Sequence, residues 1–113
     1  MARISTHVLD TSRGKPAQGL AIDLRFGAKH VKSGVTNIEG RTDQPLASAD
    51  SLETGVYELT FHAGDYFREI GVALPSPPFL DEVVVRFGVD DPNGNYHVPL
   101  LLSPYGYSTY RGS

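Results

Sequence analysis

The sequence predicts an all-β protein in which two antiparallel sheets pack face to face. First, apolar and polar residues alternate in segments along the whole chain, which is the period of a strand with one buried face. Second, 12 glycines and 8 prolines are spread between these segments instead of forming a linker. Third, the segments number eight and are short, with turns about a dozen residues apart, a spacing that favours a β-sandwich of two four-stranded sheets.

The alternation is clearest where Leu20, Ile22 and Leu24 stand opposite Asp23 and Arg25. A helix would scatter these apolar groups around its circumference, whereas a strand gathers them on one face. The same pattern predicts strands in four further segments, at residues 3–8, 57–62, 83–89 and 96–102.

Weaker alternation predicts three more strands, at residues 31–36, 41–44 and 107–111. Turn-forming residues separate the strands at 13–16, 37–40 and 91–94. One short helix is predicted over residues 63–70, because Phe67 and Ile70 lie three positions apart and Pro75 follows.

Pro99 interrupts the last long strand. Proline has no N–H to donate to a neighbouring strand, so it normally lies at a sheet edge or a bulge. We therefore expect either that the strand is an edge at this point or that the amide side of Pro99 faces a cavity.

The composition restricts the classes of function. A chain of 113 residues and 12.3 kDa forms one domain, residues 1–113. The net charge is -3 and the basic residues are scattered, so we expect no nucleic-acid partner. No segment approaches the roughly 20 apolar residues of a membrane span, and we expect no membrane partner. The first residues are polar and lack a secretory signal, which predicts a cytoplasmic protein unless a signal was removed.

The absence of cysteine excludes disulfides, thiolate nucleophiles and cysteine-containing zinc sites. Histidine pairs with metal-binding spacing are also missing, so no metal site is expected. A serine nucleophile is not supported either, since there is no Gly-x-Ser-x-Gly segment and Ser5, although on the same side of its strand as His7, has no identifiable orienting acid.

The histidines are the side chains that titrate near neutral pH, and they are the candidate bases. His7 and His97 fall on the polar side of strands whose neighbouring residues suggest a packed environment. His30 stands in a basic loop and His62 ends a strand, so both are interpreted as structural. The alternation alone does not bring His7 and His97 together.

Three motifs, in order along the chain, resemble the transthyretin-related family and its 5-hydroxyisourate hydrolase branch. The opening run THVLD at residues 6–10 is followed by GKPA at 14–17. The segment at 37–43 is similar to the arginine motif of that branch. The end, HVPLLLSPYGYSTYRGS at 97–113, closes with the tetrapeptide YRGS, which resembles the hydrolases, because hormone-carrying transthyretins keep LSPY and lose the tetrapeptide.

This resemblance implies a transthyretin-like sandwich with one short helix, assembled as a homotetramer from two dimers around a central channel. It implies hydrolysis of 5-hydroxyisourate, a small purine-derived substrate of urate degradation, to 2-oxo-4-hydroxy-4-carboxy-5-ureidoimidazoline, with no cofactor. The functional residues of the family match His7, Arg41, His97 and the closing tetrapeptide at 110–113. They would meet at the dimer-dimer interface.

These residue types suit the hydrolysis of a ring amide. One histidine would activate water, and the other would orient the water or protonate the leaving nitrogen. Arg41 would bind the substrate and stabilise negative charge. Tyr110 offers a hydroxyl and a ring face, Arg111 could anchor the tail, and Ser113 contributes a hydroxyl and the terminal carboxylate.

Two other classes of function are also considered. A carrier that binds a small molecule or hormone in the same channel would not require His7, Arg41 and the tail together. A structural sandwich of the adhesion type would require none of them.

Overall fold

The computed structural model describes all 113 residues and contains nine strands and one helix. The elements are β1 (Ala2–Asp10), β2 (Lys15–Pro16), β3 (Ala21–Phe26), β4 (Lys29–Val35), β5 (Ala47–Ala49), β6 (Gly55–Phe61), α1 (Ala63–Glu69), β7 (Val83–Val89), β8 (Asn95–Ser103) and β9 (Gly106–Thr109). No helix of the chain is long and apolar enough to cross a membrane.

The strands form two sheets, as predicted. One has the order β2-β1-β8-β9, with β5 also paired to β1, and the other has the order β4-β3-β6-β7. The prediction of two antiparallel four-stranded sheets needs two corrections: the first sheet has five strands, and β1 and β8 run parallel. A parallel pair is possible here because the chain visits the second sheet between β1 and β8 and returns to the first sheet in the same direction.

One local prediction was wrong. Residues 41–44 form no strand, because the loop closes on itself through a hydrogen bond from the Asn37 N–H to the Arg41 carbonyl. Instead, Ala47–Ala49 pairs with β1. The turn predicted at 13–16 is real, but its last two residues form the short strand β2 against Leu9 and Asp10. The helix predicted over 63–70 is confirmed as Ala63–Glu69.

The alternating apolar residues fill the space between the sheets. Ile22 and Leu24 from one sheet and Leu100 and Leu102 from the other are fully buried, and Phe67 of α1 joins them. Because side chains alternate along a strand, the residues between these core positions lie on the outer faces. On β1 and β8 the outer face carries both histidines that the sequence singled out.

Pro99 lies in the interior of its sheet, between β1 and β9, and not at an edge. The carbonyls of His97 and Pro99 both accept hydrogen bonds from the β9 side, from the Gly112 N–H at 2.8 Å and the Thr109 hydroxyl at 2.7 Å. The regular β8–β9 pairing stops at Leu100. The side of Pro99 that lacks an N–H therefore faces the point where the chain leaves β9 and the regular pairing has ended. The proline costs no strand pairing there.

Asp10 is a fully buried carboxylate at the end of β1. It accepts hydrogen bonds from the Tyr66 hydroxyl at 2.8 Å and from the hydroxyl and N–H of Ser12 at 2.5 and 3.0 Å. Burial, followed by the hydrogen bond to Asp10, raises the pKa of Tyr66 to about 12. The pair joins α1 to the five-stranded sheet.

Tyr66→Phe should lower the free energy of unfolding by about 2 kcal/mol, because the buried carboxylate of Asp10 loses a charge-assisted hydrogen bond. Urea unfolding followed by circular dichroism, at fixed protein concentration, measures the change. Tyr57→Phe is the control: its hydroxyl donates to the neutral carbonyl of Glu53 at 2.7 Å, and its removal should cost only about 1 kcal/mol. Equal losses in the two variants would contradict the special role of Asp10.

Candidate active site

The parallel pairing of β1 with β8 brings the two candidate histidines onto one face. In the register, Ser5 lies opposite His97 and His7 lies opposite Pro99. His7 and His97 are therefore on neighbouring strands, two register positions apart, with their side chains on the outer face. Both are half-buried.

The loop that carries Arg41 is fixed to β1 next to His7. The Val8 N–H donates to the Gly40 carbonyl at 2.8 Å. A Cβ at Gly40 would lie 2.4 Å from the Val8 carbonyl oxygen and 3.4 Å from Cδ2 of His7, and the φ of Gly40 is +76°. Only glycine permits this close approach in the left-handed conformation. The approach places Arg41 next to β1, the strand that carries His7.

Asn37 organises the same loop from inside. Its side-chain oxygen accepts hydrogen bonds from the N–H groups of Glu39 and Arg41, at 2.9 and 3.3 Å, and its amide donates to Asp43 at 3.0 Å. The guanidinium of Arg41 itself makes no hydrogen bond or ion pair within the chain. Its positive charge is free to bind a ligand.

The C-terminal tail folds back over β8. Gly112 forms an isolated bridge with His97, with its N–H 2.8 Å from the His97 carbonyl. A Cβ at Gly112 would lie 2.6 Å from Cδ2 of His97 and 3.2 Å from Cγ of Pro99. The backbone of the tail therefore packs directly against the imidazole, and this packing requires a residue without a side chain.

These segments enclose a cavity of about 410 Å³ on the outer face. Apart from Pro45, each of the ten residues that line it has a polar side chain. Those with the most evident chemistry are Arg3, Ser5, Arg41, Asp43, Asn95, His97 and Ser113. Such a lining suits a small, polar and hydrogen-bonding ligand.

The His97 ring has one nitrogen bonded and one nitrogen free. Nδ1 lies 2.9 Å from the Ser5 hydroxyl, and Nε2 has no partner within the chain. Burial is the largest cause that lowers the pKa of His97, and the positive charge of Arg41 and the neighbouring His7 lower it further. His97 is therefore neutral at pH 7, and a neutral imidazole is the form that can accept a proton.

The predicted site residues are found in two places. His97, Arg41 and Ser113 line the cavity, and His7 lies beside it on β1 without lining it. Tyr110 and Arg111 instead line a separate cleft of about 230 Å³ between β7 and β9.

Arg111 in that cleft lies over the ring of Tyr96, with its guanidinium carbon 4.3 Å from the ring centroid. It also donates a hydrogen bond to the carbonyl of Asn95 at 3.3 Å. In the single chain, these contacts hold the tail in place directly before Gly112.

Seven residues of the cavity were not predicted as part of the site: Arg3, Ser5, Thr6, Thr42, Asp43, Pro45 and Asn95. Arg3 and Asn95 lie directly opposite each other in the parallel register, which the alternation of single strands does not reveal. From the sequence alone, Ser5 is a candidate only for a nucleophile. Across the chain, no three side chains among histidine, aspartate and glutamate converge in a way that could hold a metal ion.

Comparison with known proteins gives consistent matches over the full length. The family model described as HIUase/Transthyretin family matches residues 4–112. A relative in Rhizobium meliloti, named 5-hydroxyisourate hydrolase 2, is 58% identical over 98% of this chain and 96% of its own length. The structure of Klebsiella pneumoniae 5-hydroxyisourate hydrolase superposes with a TM-score of 0.86 at 34% identity, covering 100% of both chains. Sea bream transthyretin in complex with thyroxine superposes with a TM-score of 0.82 at 26% identity, covering 97% of this chain and 94% of its own.

Arg41→Gln should raise the pKa of His97, because the substitution removes a positive charge that disfavours the imidazolium. NMR titration of the His97 ring protons measures the shift. Arg25→Gln removes an exposed charge whose side chain bonds only to the Ala28 carbonyl, and it should leave this pKa unchanged. A lowered pKa of His97 in Arg41→Gln would contradict the electrostatic account.

Proposed function

The chain belongs to the HIUase/Transthyretin family, and on this basis we propose that it hydrolyses 5-hydroxyisourate in purine degradation. The observation that carries the proposal is a single polar cavity in which a neutral histidine, an unpaired arginine and the last residue of the chain face the same space. Its relatives named 5-hydroxyisourate hydrolase support the same conclusion over the whole chain.

The proposed reaction adds one water to the ring. The water oxygen bonds to the lactam carbonyl carbon of the six-membered ring, and the carbon–nitrogen bond then breaks. The nitrogen takes a proton, and the carbonyl carbon becomes a carboxylate. The product is 2-oxo-4-hydroxy-4-carboxy-5-ureidoimidazoline. This chemistry requires a base for the water, positive charge for the oxyanion, and donors that hold a flat polar heterocycle.

His97 is the proposed base. Its Nε2 is unbonded within the chain, and its lowered pKa leaves it unprotonated at pH 7. General-base catalysis of this kind contributes about 10²- to 10⁴-fold in rate. His7 lies on the same face, and we assign it the second role of orienting the water or protonating the leaving nitrogen.

Arg41 is the proposed oxyanion and substrate-binding group. Its planar guanidinium presents several donors in a fixed arrangement that matches neighbouring carbonyl oxygens of the heterocycle. The charge also helps to keep His97 neutral, so one residue serves both the substrate and the base. Nothing within the chain competes for this guanidinium.

The tail is proposed to complete the site. Ser113 lines the cavity, where its hydroxyl is available to a substrate. Arg111, proposed from sequence to bind substrate, acts within one chain as an anchor for the tail through Tyr96. Tyr110 is 60% exposed, so its hydroxyl and ring are available to a substrate shared with a neighbouring subunit.

A homotetramer with sites at the dimer-dimer interface is part of the proposal. The end strands β7 and β9 have no partner on their outer edges, and both offer backbone groups for pairing with a second copy. Exposed Val84 and Tyr107 lie on these strands. Sedimentation equilibrium should give four times the chain mass, and a monomer would contradict this part.

The carrier function is the alternative, and the likeness to thyroxine-bound sea bream transthyretin is the observation that favours it. The lining of the cavity argues against it, because an apolar hormone would meet guanidinium, carboxylate and imidazole groups instead of hydrocarbon.

His97→Ala should reduce kcat for 5-hydroxyisourate by about 10²- to 10⁴-fold through loss of the base. Arg41→Ala should reduce it by about 10²- to 10³-fold through loss of oxyanion stabilisation, and His7→Ala should also lose most of the rate. The measurement is the absorbance decay of freshly generated 5-hydroxyisourate, corrected for spontaneous decay.

The matched controls are His30→Ala and Arg25→Ala, which remove an exposed histidine and an exposed arginine outside the cavity. Both should keep the wild-type rate. Wild-type protein that does not accelerate the decay would exclude the hydrolase function, and full activity in His97→Ala would exclude its role as base.

Deletion of residues 111–113 should reduce turnover strongly and lower thermal stability only slightly. The tail supplies Ser113 to the cavity, one backbone hydrogen bond to His97 and the exposed contacts of Arg111 with Tyr96 and Asn95, but none of the buried core. Activity and melting temperature are compared with those of Ser51→Ala, a change at an exposed residue outside the cavity. A fully active truncated protein would show that the tail is dispensable.

A further inference from the structure

Ser5 is the one residue that contacts the His97 ring through a hydrogen bond. The two residues lie directly opposite each other in the parallel register of β1 and β8, and both are half-buried. The hydroxyl oxygen lies 2.9 Å from Nδ1 and has no other partner within the chain. On the opposite side of β1, Thr6 points into the protein and donates to the Val98 carbonyl at 2.7 Å.

The rotation of the His97 ring is restricted from a second direction. The backbone of Gly112 lies against the ring, since a Cβ there would come within 2.6 Å of Cδ2. With Ser5 on the Nδ1 side and Gly112 against the Cδ2 side, a flip of the imidazole would lose the hydrogen bond. The ring therefore has a single orientation, with Nε2 on the unbonded side.

The charges around the cavity favour a lone pair on Nε2 over a proton. Arg41 and Arg3 line the cavity as unpaired cations, and His7 lies on the same face. One carboxylate side chain also lines it, that of Asp43, which already accepts a hydrogen bond from the Asn37 amide. An N–H directed toward the cations would be repelled, whereas a lone pair is attracted.

We propose that Ser5 is a positioning residue for the hydrolysis: its hydroxyl accepts the Nδ1–H of His97, so that Nε2 presents its lone pair to the cavity and acts as the base. A neutral imidazole carries one proton, and it lies on the nitrogen whose hydrogen-bond partner acts as an acceptor. The other nitrogen then keeps its lone pair. The tautomer follows from the geometry of the chain, while its use in catalysis rests on the proposed function.

The first test is ¹⁵N NMR of protein labelled in histidine, because the chemical shifts of the ring nitrogens report the tautomer without any assay of activity. The expected result for His97 is a protonated Nδ1 and an unprotonated Nε2 at neutral pH. Protonated Nε2 in the wild-type protein would overturn the proposal, since Ser5 would then be the donor.

The second test compares Ser5→Thr with Ser5→Val, which have the same shape and differ in the hydroxyl. Ser5→Thr should keep the wild-type tautomer and rate. Ser5→Val should lower kcat by about tenfold, the loss expected for one hydrogen bond, with KM unchanged. Equal activity and equal tautomers in the two variants would overturn the proposal. Ser51→Ala is the control for an exposed serine outside the cavity.

The pH profile adds a signature that a purely structural role would not produce. Removal of an acceptor from Nδ1–H destabilises the imidazolium more than the neutral ring, so the acid limb of kcat/KM should move to lower pH in Ser5→Val. A move to higher pH would mean that the hydroxyl donates, and the proposal would be wrong.

The outcomes separate this proposal from the proposed function. Wild-type protein that is inactive on 5-hydroxyisourate but has Nδ1 protonated would overturn the hydrolase function and support the tautomer. Active protein with Nε2 protonated would overturn the positioning role and support the hydrolase.

Discussion

The parallel pairing of β1 with β8 is the constraint on which the rest of the structure depends. It aligns Ser5 with His97 and His7 with Pro99, so that the groups with acid–base chemistry share one outer face. The same pairing directs Ile4, Val8 and Leu100 into the core, where each is fully buried. One set of backbone hydrogen bonds therefore determines both the interior of the sandwich and the position of the candidate base.

Two segments without regular structure complete the cavity, and each approaches the sheet through a glycine. Gly40 brings the arginine loop against the Val8 carbonyl, and Gly112 brings the tail against the His97 ring. A side chain at either position would move the loop or the tail away from the imidazoles. The floor of the cavity is rigid sheet, while its walls are short segments held by a small number of hydrogen bonds.

Most of the fold could be predicted from alternation, because half-buried strands leave a period of two in the sequence. Residues 20–26 and 57–62 show this pattern, and both are strands close to the predicted bounds. The parallel direction of β1 and β8 could not be predicted, since alternation records which residues are buried and not which strands are neighbours. The same limit hid Arg3 and Asn95, which join the cavity only through pairing across strands. Residues 41–44 were misassigned because a loop fixed by Asn37 leaves no periodic pattern.

The strand β1 serves two purposes at alternate positions, and this makes the length of the segment as important as its composition. The core takes Ile4, Thr6 and Val8, and the reactive face takes Ser5 and His7. Loss or gain of a single amino acid in the middle of β1 would exchange the two sets beyond that point, turning an imidazole inward and an aliphatic chain outward. Homologous genes should therefore tolerate many replacements along this strand but almost no insertion or deletion within it.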